Sequence, residues 1–221
     1  MKEIYIFLKQ LKLNNNREWF LENKDNYLKS KKLFEDFLEK VIAGISKFDK
    51  SIAGVQTKES IFRIYRDVRF SHDKSPYKTH FGAFIVKGGK TYPRGGYYVH
   101  IEPDNSLLAG GIWNTTPPIL KTLRQEIYDN AEEFLEIVEN PELTKYYIHD
   151  DEKLKKTPPQ FPADLPVSEW LKNKRFTPFY NVSDNFFTSD DAVDNTCEKL
   201  KLLYPLNCFV NYALEETLTA M

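Results

Sequence analysis

The sequence predicts an α+β fold: a mainly antiparallel central sheet flanked by helices from the N-terminal and C-terminal parts of the chain. Three observations carry this expectation. Aromatic and aliphatic residues recur at helical spacing up to Phe48, short β-like segments separated by turn signals follow Gly54, and helical periodicity returns after Thr115. With 221 residues, 41% of them hydrophobic and 29% charged, the chain has an ordinary globular composition. A single domain over residues 1–221 is expected.

The first long element starts after Asn14 or Asn15, either of which can cap a helix, and runs to about Phe48. Phe20, Tyr27, Phe34, Val41 and Phe48 recur every seven residues, and Phe37, Leu38, Ile42 and Ile45 fill the same side. This is an amphipathic helix suited to packing across a sheet, with Trp19 as an anchor. Strands follow over Ile61 to Phe70, Thr79 to Val86, Gly96 to Glu102 and Leu107 to Trp113. Gly88-Gly89, Pro93-Arg94-Gly95-Gly96 and Pro103-Asp104-Asn105 supply the later turns, and such short connections imply antiparallel pairing.

Thr115-Thr116-Pro117-Pro118 opens a helix with a hydroxyl cap and proline in the first turn. Leu120, Leu123, Ile127, Ala131, Phe134 and Val138 form its buried stripe, with Arg124 off that stripe. Acids dominate from Glu126 to Glu152, as on a solvated helix face and loop. Pro158, Pro159, Pro162 and Pro166 make Leu154 to Pro166 an extended connector. A short helix over Ser168 to Lys174 and an edge strand over Thr177 to Val182 come next. Thr188 with Asp191 reads as a capping box, and Pro205 starts a last helix carrying Phe209, Val210 and Leu214.

No stretch approaches the ~18 consecutive apolar residues of a membrane span, so a soluble, cytoplasmic protein without a membrane partner is expected. Cys197 and Cys208 have no histidine near them in sequence and read as buried thiols rather than a disulfide or zinc site.

The chemistry concentrates between Phe62 and Gly82. Read as a strand, Ile64, Arg66, Val68 and Phe70 share one face, and Arg63, Tyr65, Asp67 and Arg69 the other. Arg66 alone among apolar residues needs a carboxylate, for which Asp67 and Asp73 are available. From Ile61 to His100 eight basic residues stand against two acids, a net of +6 in a chain of net charge −1. Guanidinium groups grip phosphate or carboxylate in a bidentate way, and Lys74 and Lys78 add point charges. The stretch therefore predicts an anion site built from Arg63, Arg66, Asp67, Arg69, Asp73, Lys74 and Lys78. Gly111 and Trp113 stand where the backbone can come close to a ligand. The two glycines at 110 and 111 fit a simple bulge equally well.

Alternation places Tyr98, His100 and Glu102 on one strand face, and pairing with the preceding strand brings His80 opposite His100. His80, His100 and Tyr77 are the candidates for proton transfer. A two-histidine, one-carboxylate metal centre completed by Asp73 is the alternative. Ligands from separate strands carry no diagnostic spacing, so no metal is assigned and the cofactor stays unknown. No Walker or dinucleotide fingerprint is present.

The run Arg63-x-x-Arg66-Asp67-x-Arg69-Phe70-x-x-Asp73-Lys74-x-x-Tyr77 resembles the signature of the domain of unknown function 2461 family of bacterial and fungal proteins. Asn14 to Phe20, Tyr97 to Pro103, Gly110 to Trp113, Leu154 to Pro158 and Leu171 to Lys174 are similar to it too. The resemblance implies a protein of about this length forming one domain, and it carries no activity. Three function classes follow from the residues. The leading one is a small-molecule or enzymatic site for an anionic group. The others are a nucleic-acid binding module, suggested by the +6 segment and its tyrosines, and an interaction protein whose arginines only tie the fold together.

Overall fold

In the computed structural model, which describes residues 1–149 and 152–219, the chain opens with helix α1 (Lys2–Leu13), earlier than the sequence reading places any element. Its buried Ile4, Tyr5, Phe7, Leu8 and Leu11 recur at helical spacing. Asn16 accepts a hydrogen bond from the Trp19 N–H (2.9 Å) and so caps α2 (Arg17–Glu22). The expected single helix is interrupted at Asn23, and α3 (Lys24–Phe48) carries the long apolar stripe of Phe34, Phe37, Leu38, Val41, Ile42 and Ile45. A 3-10 turn over Lys50–Ile52 and helix α4 (Thr57–Ser60) lead towards the sheet.

The sheet comprises β1 (Phe81–Ile85), β2 (Gly96–Ile101), β3 (Ser106–Gly111) and β4 (Phe179–Val182), in that spatial order and antiparallel throughout. Period-2 alternation divides it into two faces. Phe81, Ala83, Ile85, Tyr97, Val99, Ile101 and Leu108 are buried in the first apolar cluster with α1, α3 and α10 (Ala192–Lys201). Phe34 reaches the Phe81 ring at 5.4 Å, and burying such a side chain stabilises the fold by about 1.5–3 kcal/mol. Tyr97, also buried, donates its hydroxyl to Asp49 (2.9 Å) and ties β2 to the end of α3. The opposite face carries Phe84, Tyr98, His100, Leu107, Ala109 and Phe179.

The expected strand from Ile61 to Phe70 does not form. Isolated pairings at Ile61 with Ala83 and Tyr65 with Tyr77, plus Arg66 N–H to Pro76 O (2.9 Å) and Lys78 N–H to Ile64 O (2.8 Å), make it an irregular hairpin. The reason is local. Asp67 and Asp73 accept hydrogen bonds from the backbone N–H groups of Arg69 and Ser75, and Pro76 has no N–H to give a ladder. The expected two-faced split fails with it, since Phe70 is 96% exposed while Ile64 is buried.

A second apolar cluster joins α5 (Pro117–Asp129), α6 (Ala131–Val138), α8 (Ser168–Leu171) and α11 (Tyr204–Thr219) through Ile119, Leu123, Ile127, Phe134, Leu206 and Phe209. The short α7 (Pro141–Thr144) follows α6, and α9 (Asp184–Thr188) follows β4. Arg124, expected off the stripe, is buried and donates to the Asn173 carbonyl (2.9 Å), because the 172–176 segment lies over that face of α5. The helix expected to Lys174 stops at Leu171, where Lys174 N–H turns to Glu152 O (2.8 Å). Asp150 and Asp151 of the expected acidic loop lie outside the described residues. The expected capping box is absent, because the Thr188 hydroxyl bonds back to Asp184 O (3.3 Å) within α9. Both cysteines are free thiols, Cys197 half-buried and Cys208 exposed rather than buried. Among the described residues no helix is long and apolar enough to cross a membrane.

Candidate functional site

Strand β2 lays out the chemistry by alternation. On its open face Tyr98 Oη lies 2.9 Å from His100 Nδ1, and His100 Nε2 lies 3.2 Å from Glu102 Oε2. The antiparallel register sets Gly82 opposite His100, so the turn entering β1 brings the His80 ring to 4.2 Å from that of His100. Two further donors fix the carboxylate. The Thr79 hydroxyl bonds Glu102 Oε1 (2.6 Å), and Asn105 Nδ2 bonds Oε2 (2.9 Å).

Burial sets the protonation states. It pushes the His80 imidazole down to about 4, with His100 and Lys78 adding repulsion against the opposing pull of Glu102. It also lowers His100, against the opposing pull of Glu102. Burial alone would raise Glu102, but donors from Thr79, Asn105 and His100 outweigh it and hold the carboxyl below its ordinary value. Tyr98 is pushed up to about 12 by burial and by Glu102. At neutral pH the cluster is therefore two neutral imidazoles, one carboxylate and one phenol. In that state His100 donates through Nε2 to Glu102 and accepts from Tyr98 at Nδ1.

His80 and Thr79 also line a polar cleft of about 330 Å³, together with Lys12, Asn15, Lys78 and the paired Arg66 and Asp73. Burial, and then Arg63, hold the Lys78 ammonium below its ordinary value. Lys78 lies over the Phe62 ring at 5.3 Å, and among the described residues no carboxylate is within ion-pair distance of it. Beyond Tyr98 a second cavity of about 390 Å³ covers the open sheet face, floored by Phe62, Phe84, Tyr98, Leu107, Ala109 and Phe179. Lys90, Arg94, Arg175 and Trp113 stand at its rim, with the Arg175 guanidinium 4.0 Å over the Trp113 ring.

The structure gathers only part of the sequence-derived anion set. Arg66 pairs with Asp73 and also donates to Ser75 O (3.2 Å) and Ser71 Oγ (3.3 Å). Ser75 and Arg66 hold the Asp73 carboxyl down to about 2. Arg69 grips Asp67 through Nε (3.0 Å) and Nη2 (2.7 Å), and Lys74 Nζ donates to Val68 O (3.0 Å). Arg63 is exposed. Gly111 and Trp113 belong to the apolar cavity. Tyr77 is a core residue, its ring stacked on Phe20 at 3.9 Å. Asn15 clamps both its N–H (3.1 Å) and its carbonyl (2.9 Å), which accounts for the asparagine-rich start of α2. Lys12, Thr79, Tyr98 and Asn105 join the site without having been candidates. The β2 alternation was a signal for Tyr98, whereas Lys12 had none.

A family model described as conserved hypothetical protein, DUF2461, matches residues 3–209. The chain belongs to the DUF2461 family. No curated protein and no solved structure matches it. The matched span takes in both cavities and the histidine pair of this DUF2461 protein.

Two outcomes follow for the DUF2461 site. Arg66→Ala removes three hydrogen bonds that close the hairpin and lowers stability by about 1–2 kcal/mol, while Arg69→Ala leaves the melting temperature in place. Thermal melts of the two variants check this. Stability also falls on acidification. Between about pH 6.5 and pH 4 the unfolded chain binds protons at residues 80 and 149 that the native chain refuses, since His149 is likewise pushed by burial to about 4. Each such histidine removes up to about 1.4 kcal/mol per pH unit across that window. Urea unfolding at pH 7, 5.5 and 4 measures the slope, and His149→Gln flattens it.

Proposed function

We propose that this DUF2461 protein binds a small molecule bearing a phosphate or carboxylate group in the polar cleft, with His80 and His100 positioned to transfer a proton. The observation that carries the reading is Lys78. It is a half-buried cation without a carboxylate partner among the described residues, in the same concavity as Lys12, the Arg66–Asp73 pair and a neutral imidazole. An anion supplies the missing counter-charge, and hydrogen bonds to charged groups contribute about 1.5–3 kcal/mol each. Neutral His80 accepts a proton from a bound molecule, and Glu102 behind His100 stabilises the positive charge that forms on the pair. A cytoplasmic location suits the two free thiols.

The hairpin's own cations argue against a nucleic-acid surface. Arg66 and Arg69 are already matched with Asp73 and Asp67, so two of the cations on the exposed loop are neutralised before any phosphate backbone arrives. A thermal-shift panel of inorganic phosphate, sugar phosphates, nucleotides and carboxylates, run beside a salt titration with labelled oligonucleotides, tests the reading. The expected result is a shift from at least one small anion with weak salt dependence. Oligonucleotide binding whose log–log salt slope falls by about 0.9 per phosphate contact, without a small-anion shift, overturns it.

A further inference from the structure

We propose that His80, His100 and Glu102 form a binding site for a divalent first-row transition-metal ion, of the zinc or iron class, at the junction of the polar cleft and the apolar cavity. Their ligand atoms, two imidazole nitrogens and one carboxylate oxygen, all lie within 4.8 Å of one another. The 3.2 Å between His100 Nε2 and Glu102 Oε2 falls in the range, about 3.0–3.4 Å, that separates neighbouring ligands holding one ion at bond lengths near 2.1 Å. The donor set of two imidazoles and one carboxylate suits such ions and excludes the all-oxygen preference of magnesium and calcium.

The surroundings match those of a metal centre in three respects. First, the Tyr98 hydroxyl holds the Nδ1 side of the His100 ring, which leaves Nε2 directed at the Glu102 carboxylate. His100 needs only to shift its N–H from Nε2 to Nδ1, and the Tyr98 hydroxyl at 2.9 Å then accepts instead of donating. Second, the carboxylate is oriented by Thr79 and Asn105 from either side, as outer-shell donors orient metal-bound carboxylates. Third, His100 lies in β2, Glu102 directly after it and His80 directly before β1, so the β1–β2 pairing holds all three at one end of the sheet. Three protein ligands leave coordination positions for water or a substrate oxygen.

A dipositive ion held by a single carboxylate leaves the centre net positive, and with Lys78 beside it the cleft becomes a stronger trap for an anionic molecule. The inference thus deepens the anion reading while resting on it only for that last step, since the ion binds through groups the anion does not need.

The test uses the full chain, stripped with a chelator and titrated with Zn²⁺, Mn²⁺ or Co²⁺ alone, followed by calorimetry and, for Co²⁺, by its visible absorption. One equivalent is expected to bind. His80→Gln, His100→Gln and Glu102→Gln each weaken binding by at least about 100-fold, and Tyr98→Phe by about 10-fold or more. His72→Gln, at an exposed residue outside the cluster, leaves binding unchanged. Circular dichroism of the metal-free variants establishes that they are folded, and Tyr98→Phe, which removes only a hydroxyl, covers the case in which a ligand variant is not. Absence of a stoichiometric ion from the wild type, or binding that survives all three ligand substitutions, overturns the proposal. Small-anion shifts in the metal-free protein would persist in that event, so the two readings fail separately.

Discussion

Gly111→Ala is expected to destabilise the protein by about 2–5 kcal/mol. Gly111 sits at φ 82°, and a Cβ there would stand 2.0 Å from the Phe176 carbonyl oxygen. The left-handed backbone costs an alanine about 1–2 kcal/mol, and forcing an atom against packed backbone adds about 1–3 kcal/mol. The carbonyl cannot swing away cheaply, because it accepts the Ile112 N–H at 2.9 Å in the pairing that holds the 172–176 segment against the end of β3. That segment also covers Arg124 and supplies Arg175 to the apolar cavity, which Thr177 lines directly after it. Urea unfolding measures the loss. A change below about 1 kcal/mol would mean that the segment is not seated there, and the cavity would lose one wall.

Lys78→Glu is expected to weaken small-anion binding by at least about 100-fold. The substitution removes a charge-assisted hydrogen bond of about 1.5–3 kcal/mol and puts a like charge into the cleft. It leaves folding largely intact, because the native ammonium makes no ion pair with a carboxylate among the described residues. Lys78→Arg keeps most of the affinity. Calorimetric titration of the three proteins with the anion giving the largest thermal shift decides the point, and equal affinities would remove Lys78 from the site.

How much of this was legible varied with how local the cause was. The Tyr98, His100 and Glu102 face followed from period-2 alternation, and the closeness of His80 to His100 followed from antiparallel pairing, although the register sets Gly82 rather than His80 opposite His100. The stripes of α3 and α5 were equally visible, though not the breaks at Asn23 and Asn130. Helix α1 carried its own apolar stripe but no side-chain cap at Met1, and the asparagines at 14 to 16 drew the helix start to themselves.

The hairpin was misread as a strand because Asp67 and Asp73 compete with the ladder for backbone N–H groups, an effect that a spacing argument does not include. Once the strand fails, arginines at intervals of three have no shared face to converge on. Lys12 and Asn15 reach the cleft from a helix end about sixty residues upstream, and Asn15 gives no local sign that it clamps Tyr77. Glu102 was visible on its strand face, yet its partners Thr79 and Asn105 became apparent only when the loops at both ends of β1 and β2 were folded together.

The most direct test of the polar cleft as an anion site is an NMR titration of the His80 and His100 imidazoles in metal-free protein, with and without phosphate or the best anion from the panel. In the free protein His80 should titrate near pH 4, pushed down by burial and by neighbouring positive charge. Bound anion should move both resonances saturably and raise the His80 value, because a negative charge beside an imidazole favours its protonated form. A His80 resonance that titrates at its ordinary value, and that no small anion moves, would contradict the account.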